Sequence, residues 1–69
     1  MEQIEYKPLQ RTRPIVEYLM GVRDNTSTVK DMVEFFDMPV YAIRAVLKRL
    51  QRVGRVACIH EAAEMWHLE

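Results

Sequence analysis

Apolar residues recur at helical spacing in three successive segments of the chain. The first segment predicts a helix over residues 14–23, with Pro14 in its first turn and Thr12 or Arg13 near the cap. Gly21 and the polar residues that follow it mark the end of this helix. Its apolar stripe consists of Ile15, Val16, Leu19, Met20 and Val22.

The second segment predicts a short helix over residues 29–36. Thr28 precedes it as an N-cap, and Asp31 three residues later resembles the acidic half of a capping box. The helix ends before Pro39, because the residue that precedes a proline avoids the helical region. Its apolar positions are Val29, Met32, Val33 and Phe36.

The third segment predicts a helix over residues 40–52. Pro39 is suited to start it, and Gly54 is suited to stop it in a left-handed C-terminal cap. One face of this helix is apolar, which predicts that it packs on a core. The residues of that face are Ile43, Val46, Leu47 and Leu50.

The hydrophobic period changes from 3.6 to 2 after Gly54, which indicates strands. Residues 56–60 form the first predicted strand and residues 65–69 the second. The turn between them, residues 61–64, reads Glu-Ala-Ala-Glu and contains neither glycine nor proline. The C-terminal part of the chain is therefore predicted to be a two-stranded hairpin with an acidic tip.

Two stretches lie outside these elements. Residues 26–28, Thr-Ser-Thr, form a polar connector, and a strand between the first two helices is optional. Residues 1–13 form a lead-in arm that is either disordered or anchored by Ile4, Tyr6 or Leu9; a short strand is one option there, since apolar and charged residues alternate.

One phrase of sequence links the third helix to the hairpin: apolar helix positions, a glycine stop, a strand, and a returning strand that ends aromatic-x-leucine. Its residues are Ile43, Leu47, Leu50, Gly54 and Val56, followed by Trp66 and Leu68. The phrase resembles the signature of the winged helix-turn-helix superfamily, and the size is similar to small stand-alone regulators, such as the pilus-operon regulators, and to the core of MarR-like domains.

The resemblance implies a single α+β domain over residues 1–69, with three helices and a C-terminal two-stranded β-hairpin wing, in the order α-(β)-α-α-β-β. The pattern predicts a core common to all these elements. That core comprises Ile15, Val16, Leu19, Met32, Val33, Phe36, Ile43, Leu47, Leu50, Val56, Trp66 and Leu68.

The charge of the chain has an uneven distribution. The formal net charge is zero, whereas DNA-binding domains usually have a basic excess. No acidic residue occurs between Asp37 and Glu61, however, and that stretch holds five basic residues, so one face of a neutral protein is predicted to be basic. These basic residues are Arg44, Lys48, Arg49, Arg52 and Arg55.

The third helix is the candidate for contact with double-stranded DNA. With its apolar face inward, its outward face presents Tyr41, Arg44, Ala45 and Lys48, and a major groove admits one such helix. Arg44 and Lys48 are the predicted base readers, while Tyr41 and Ala45 are candidates for contact with a phosphate or a thymine methyl. The resemblance places Val40 and Ala42 near the DNA as well.

Phosphate contacts are predicted at the end of the third helix and at two other places. Arg49, Arg52 and Arg55 lie toward the wing, and Thr28 with Lys30 marks the N-terminus of the second helix, where free backbone N–H groups bind anions. Each candidate has a simpler interpretation. The basic residues form a solvated helix face, Tyr41 covers the core edge, and Thr28 is a structural cap.

Two features favour a protein partner over DNA. The acidic tip of the hairpin would be repelled by phosphate, and only one of the adjacent Phe35 and Phe36 can face the core. The alternative function is therefore a protein-interaction winged helix, an adaptor, antirepressor or phage-type inhibitor, whose partner binds Phe35, Tyr41 or the acidic tip. A homodimer is a further option for so small a unit.

Other classes of function have little support. No apolar run reaches about 18 residues, the length that spans a membrane, and the N-terminus has no apolar signal core, which predicts a cytoplasmic protein. Cys58, His60 and His67 lack the paired spacing of metal ligands, and a fourth ligand would have to be Glu61 or Glu64. Two glycines leave no phosphate-binding loop, and no catalytic motif stands out, so neither a cofactor nor an enzyme is predicted.

Overall fold

The protein is described here by a computed structural model, which gives side chains for residues 12–69 and, for residues 2–11, only their place in the first helix. Its described part is α+β, with three helices and a three-stranded antiparallel sheet. The elements are α1 (Glu2–Gly21), a 3₁₀ turn (Arg23–Asn25), β1 (Thr26–Thr28), α2 (Val29–Phe36), α3 (Val40–Arg52), β2 (Val56–His60) and β3 (Met65–Leu68).

The first helix is much longer than its apolar stripe predicts. It begins at Glu2, so the start at Pro14, the cap at Thr12 or Arg13 and the optional strand in the lead-in arm are wrong. Most of residues 2–13 are Glu, Gln, Lys, Leu or Arg, which favour helices without requiring an apolar stripe. The predicted anchoring by Ile4, Tyr6 or Leu9 concerns side chains outside the described residues.

The bounds predicted for α2 are confirmed. The Thr28 hydroxyl oxygen accepts a hydrogen bond from the Asp31 backbone N–H at 3.1 Å, as an N-cap does. At the other end Asp37 adopts a left-handed conformation with φ of 56°, and its N–H donates to the Val33 carbonyl at 2.9 Å. Aspartate tolerates this conformation better than most residues, so the helix ends without glycine.

The bounds predicted for α3 are also confirmed, and so is the glycine stop. Gly54 has φ of 78°. Its N–H donates to the Gln51 carbonyl at 3.0 Å, and the N–H of Arg55 donates to the Leu50 carbonyl at 2.9 Å. These two bonds define a Schellman motif, which satisfies the carbonyls at the end of the helix and directs the chain into β2.

The sheet contains one strand more than the hairpin, because residues 26–28 form β1 rather than a plain connector. The strand order is β1-β3-β2. Ser27 pairs with Trp66 on one side of β3, and Cys58 pairs with Trp66 on the other. A register shift between Cys58 and His60 marks a bulge at Ile59. The predicted turn at residues 61–64 is confirmed, and β3 ends one residue earlier than predicted.

The core lies between α1, α2, α3 and the sheet. Nine of the twelve predicted core residues are buried, whereas Val33, Phe36 and Leu68 are partly buried and pack against the cluster. Val29, Ala42 and Val46 join the buried set. The face of α3 opposite this core is consequently held toward solvent.

Candidate functional site

The outward face of α3 is exposed as the sequence predicts. Arg44, Ala45 and Lys48 are exposed, and the Tyr41 side chain is 77% exposed, which excludes the interpretation that it covers the core edge. The two residues that the resemblance adds at the helix start differ from each other. Val40 is exposed, but Ala42 is buried with 9% exposure, so the prediction for Ala42 is wrong. Ala42 lies one turn before Val46, so it shares the buried side of the helix.

The predicted phosphate contacts near the end of α3 are also solvent-accessible. Arg49 and Arg52 lie in the last turn of the helix, and Arg55 follows the glycine stop. The backbone of Arg55 is fixed on both sides, since its N–H donates to Leu50 and its carbonyl accepts from Glu69 at 2.8 Å. Among the described residues no carboxylate forms an ion pair with these arginines or with Lys48.

Arg44, by contrast, is bound to the hairpin. Its Nε donates to Glu64 Oε2 at 2.7 Å, and its Nη2 donates to Glu64 Oε1 at 2.8 Å. This is a bidentate, charge-assisted pair on a partly exposed surface. The hydrogen bonds, with the charge attraction, lower the pKa of the Glu64 carboxyl and raise the pKa of the Arg44 guanidinium. Both groups are therefore charged at neutral pH.

The backbone fixes Glu64 at the end of the turn. Its φ is 50°, its N–H donates to the Glu61 carbonyl at 3.1 Å, and its own carbonyl accepts from the Val29 N–H at 3.0 Å. The hairpin tip is thus tied to the start of α2, and the Glu64 side chain reaches α3. The acidic tip does not project into solvent as a whole, and its last residue neutralises the central arginine of the α3 face.

The N-terminus of α2 is less open than the sequence predicts. The Val29 N–H is taken by Glu64, and the Asp31 N–H is taken by the Thr28 hydroxyl. The prediction of a phosphate site built from free N–H groups therefore fails for these two amides. Lys30 remains exposed beside them. For Thr28, the hydrogen bond that the structure gives its hydroxyl is that of a structural cap.

A shallow groove of about 200 Å³ separates α3 from the hairpin. It is lined by Arg44, Lys48, Gln51, Cys58, Glu61, Glu64 and Trp66. Trp66 Nε1 is buried and has no hydrogen-bond acceptor among the described residues. The sequence indicates most of these residues as single candidates but does not predict the groove, because the groove depends on the pairing of β2 with β3.

The side chains considered as metal ligands are dispersed. His60 Nδ1 accepts from the Ala63 N–H at 3.2 Å and so supports the turn, while His67 Nδ1 lies 3.4 Å from Glu69 Oε2. Within residues 12–69 no group of three His, Cys, Asp or Glu side chains is placed to hold a metal ion.

Three aromatic rings form a cluster beside α2. Tyr18 lies 4.6 Å from Phe35 and 5.4 Å from Phe36, measured between ring centroids. Phe36 packs against the core, while Phe35 is 66% exposed, as the adjacent pair predicts. The Tyr18 hydroxyl also lies 3.1 Å from Ser27 Oγ, which connects the cluster to β1.

No protein-family model, curated protein or solved structure matches the chain. Among the described residues no helix is both long enough and apolar enough to cross a membrane.

Proposed function

We propose that the protein is a small DNA-binding regulator of transcription with a winged helix-turn-helix architecture, acting in the cytoplasm. In this proposal α2 and α3 form the helix-turn-helix, and β2 with β3 forms the wing. The observation that carries the proposal is the outward face of α3, which is exposed and basic and has no acidic residue of its own, while its opposite face is buried. Among the described residues, the one carboxylate bound to this face is that of Glu64, which pairs with Arg44. Such a helix is supported rigidly enough to enter a groove.

The chemistry of that face fits the major groove. Arg44 and Lys48 supply the donors that bind guanine O6 and N7, and Ala45 between them is small enough to allow close approach. Tyr41, one turn earlier, has a hydroxyl for a phosphate and a ring for a thymine methyl. Arg49, Arg52 and Arg55 extend the same basic surface toward the wing, where they would hold the phosphate backbone.

A zero net charge does not oppose this proposal, because the basic surface is local. The exposed cations at the end of α3 and at the start of β2 lack carboxylate partners among the described residues. Long-range attraction to DNA depends on the local electrostatic potential of the basic face as well as on the net charge of the protein.

The proposal is tested by replacing one unpaired cation of α3. Lys48→Ala removes a contact from the centre of the face and should weaken binding to a duplex selected by the parent protein by about tenfold. Arg23→Ala is the matched control, since Arg23 is an exposed cation in the turn after α1 and should change affinity by less than about twofold. Fluorescence anisotropy measures both variants, and circular dichroism verifies their fold.

If Lys48→Ala binds as tightly as the parent protein, Lys48 does not contact DNA, and if an Arg44→Ala, Lys48→Ala double variant also does, α3 is not the binding element. A parent protein that binds no duplex at low salt would instead support the second candidate function, a protein-interaction domain. That candidate rests on the exposed Phe35 ring beside Tyr18, and on the acidic hairpin tip. Phe35→Ser would then weaken the partner complex while leaving the fold intact.

A further inference from the structure

The Arg44–Glu64 pair uses one particular edge of the guanidinium. Arginine has five N–H donors in a fixed fork. Glu64 accepts the Nε–H and one Nη2–H. The remaining three N–H groups, two on Nη1 and one on Nη2, have no acceptor among the described residues. The guanidinium is thus bound along its Nε–Nη2 edge, and the Nη1–Nη2 edge has no partner among the described residues.

The available edge has the geometry of a guanine reader. Two parallel N–H groups, one on Nη1 and one on Nη2, match the O6 and N7 acceptors that guanine presents in the major groove. The Arg44 side chain is 53% exposed, and among the described residues no acceptor occupies this edge. A carboxylate that competed with DNA for this arginine would be expected on the Nη1–Nη2 edge, and Glu64 is not there.

The position of Glu64 is itself fixed. Its carbonyl accepts a hydrogen bond from the Val29 N–H, and its own N–H donates to the Glu61 carbonyl. The carboxylate therefore extends from a backbone that is hydrogen-bonded to the start of α2. Arginine side chains lose considerable rotamer freedom when they bind. A partner that orients the guanidinium beforehand reduces that loss on binding.

We infer that Glu64 is a positioning residue for base recognition: it holds Arg44 along the Nε–Nη2 edge and directs the Nη1–Nη2 edge toward a guanine in the major groove. This inference rests on the proposed DNA-binding function. It gives the acidic tip a role in specificity, and it assigns the hairpin an effect on DNA that needs no contact between the hairpin and DNA.

The test compares two charge-matched variants. Glu64→Gln removes the carboxylate that holds Arg44, and Glu61→Gln removes the other acidic charge of the turn, for which the structure records no ion pair. The probe is a duplex selected by the parent protein from a library randomised at its centre, together with copies in which each guanine is replaced in turn. Fluorescence anisotropy gives the ratio of affinities for the guanine-containing and substituted duplexes.

The parent protein should prefer one guanine by about tenfold. Glu64→Gln should reduce this preference to about twofold or less, whereas Glu61→Gln should leave it unchanged, although both raise the net charge equally. In an Arg44→Ala background Glu64→Gln should have no further effect on the preference, because Glu64 acts through Arg44. A purely structural role would lower the thermal midpoint and leave the guanine preference unchanged.

Several results would overturn the inference while the proposed function stands. One is a parent protein that binds duplex without a guanine preference, and another is a Glu64→Gln variant that keeps the preference. A third is tighter binding of the guanine-containing duplex by Glu64→Gln than by Glu61→Gln, which would show that Glu64 competes with DNA for Arg44. Absence of all duplex binding by the parent protein would overturn the proposed function itself.

Discussion

The stop at the end of α3 allows a quantitative test of how the sequence controls the fold. Gly54 has φ of 78°, and a Cβ at this position would have no neighbour within 4 Å. The cost of Gly54→Ala is therefore that of the backbone conformation, about 1–2 kcal/mol. Alanine also lowers the conformational entropy of the unfolded chain, which stabilises the folded state by about 0.4–1 kcal/mol. The net loss should be about 1 kcal/mol.

A loss of this size is measurable in so small a domain. With a total stability on the order of 3–5 kcal/mol, the thermal midpoint should fall by about 4–8 °C. Gly21→Ala is the matched control, because Gly21 ends α1 without positive φ and has equally open surroundings. That variant should be neutral or more stable by up to about 1 kcal/mol. Thermal and urea unfolding followed by circular dichroism would measure both.

Two outcomes would contradict this role of Gly54. If the two variants shifted the midpoint in the same direction, the left-handed conformation would not be what distinguishes the two glycines. If Gly54→Ala were as stable as the parent protein, the Schellman motif at the end of α3 would not depend on glycine.

Three further predictions concern the cap, the core and the ion pair. Thr28→Ala should lower the free energy of unfolding by about 1 kcal/mol, because the Asp31 N–H loses its acceptor, while Thr28→Ser should retain most of it; equal losses would exclude the hydroxyl as the cause. Leu47→Ala should cost about 2–5 kcal/mol and leave much of the protein unfolded, since Leu47 is fully buried; a cooperative urea transition near that of the parent protein would contradict this. The lowered pKa of Glu64 means that the pair stabilises the fold above the ordinary glutamate pKa, and that this contribution is lost as the pH falls through the lowered value. In an NMR titration Arg44→Ala should return the pKa of Glu64 toward its ordinary range, and an unchanged pKa would show that Arg44 is not its cause.

The elements predicted best from the sequence are those whose signals are local. Thr28, Pro39 and Gly54 mark the ends of α2 and α3, and the bounds of both helices match the prediction. Pro14 does not mark the start of α1, which begins at Glu2 and contains several good helix formers before the proline. A proline inside α1 lacks one backbone donor, and the helix nevertheless continues through it.

The parts that sequence reasoning missed depend on contacts between distant residues. The strand β1 is three residues long and exists because β3 pairs with it. The partner of Arg44 lies twenty positions away, at a turn whose shape is fixed by the Val29 N–H and by positive φ at Glu64. The exposed face of α3 was therefore predictable from its period, but the state of its central arginine was not.

The salt dependence of DNA binding shows whether the basic face of α3 contacts phosphate. Lys48, Arg49, Arg52 and Arg55 are exposed cations without ion pairs among the described residues. Phosphate contacts from Arg49, Arg52 and Arg55 should give a slope of about −3 when the logarithm of the binding constant is plotted against the logarithm of the salt concentration. Binding of the parent protein to a labelled mixed-sequence duplex with that slope would support α3 as a DNA-binding helix. A slope near zero, or no binding at low salt, would contradict it.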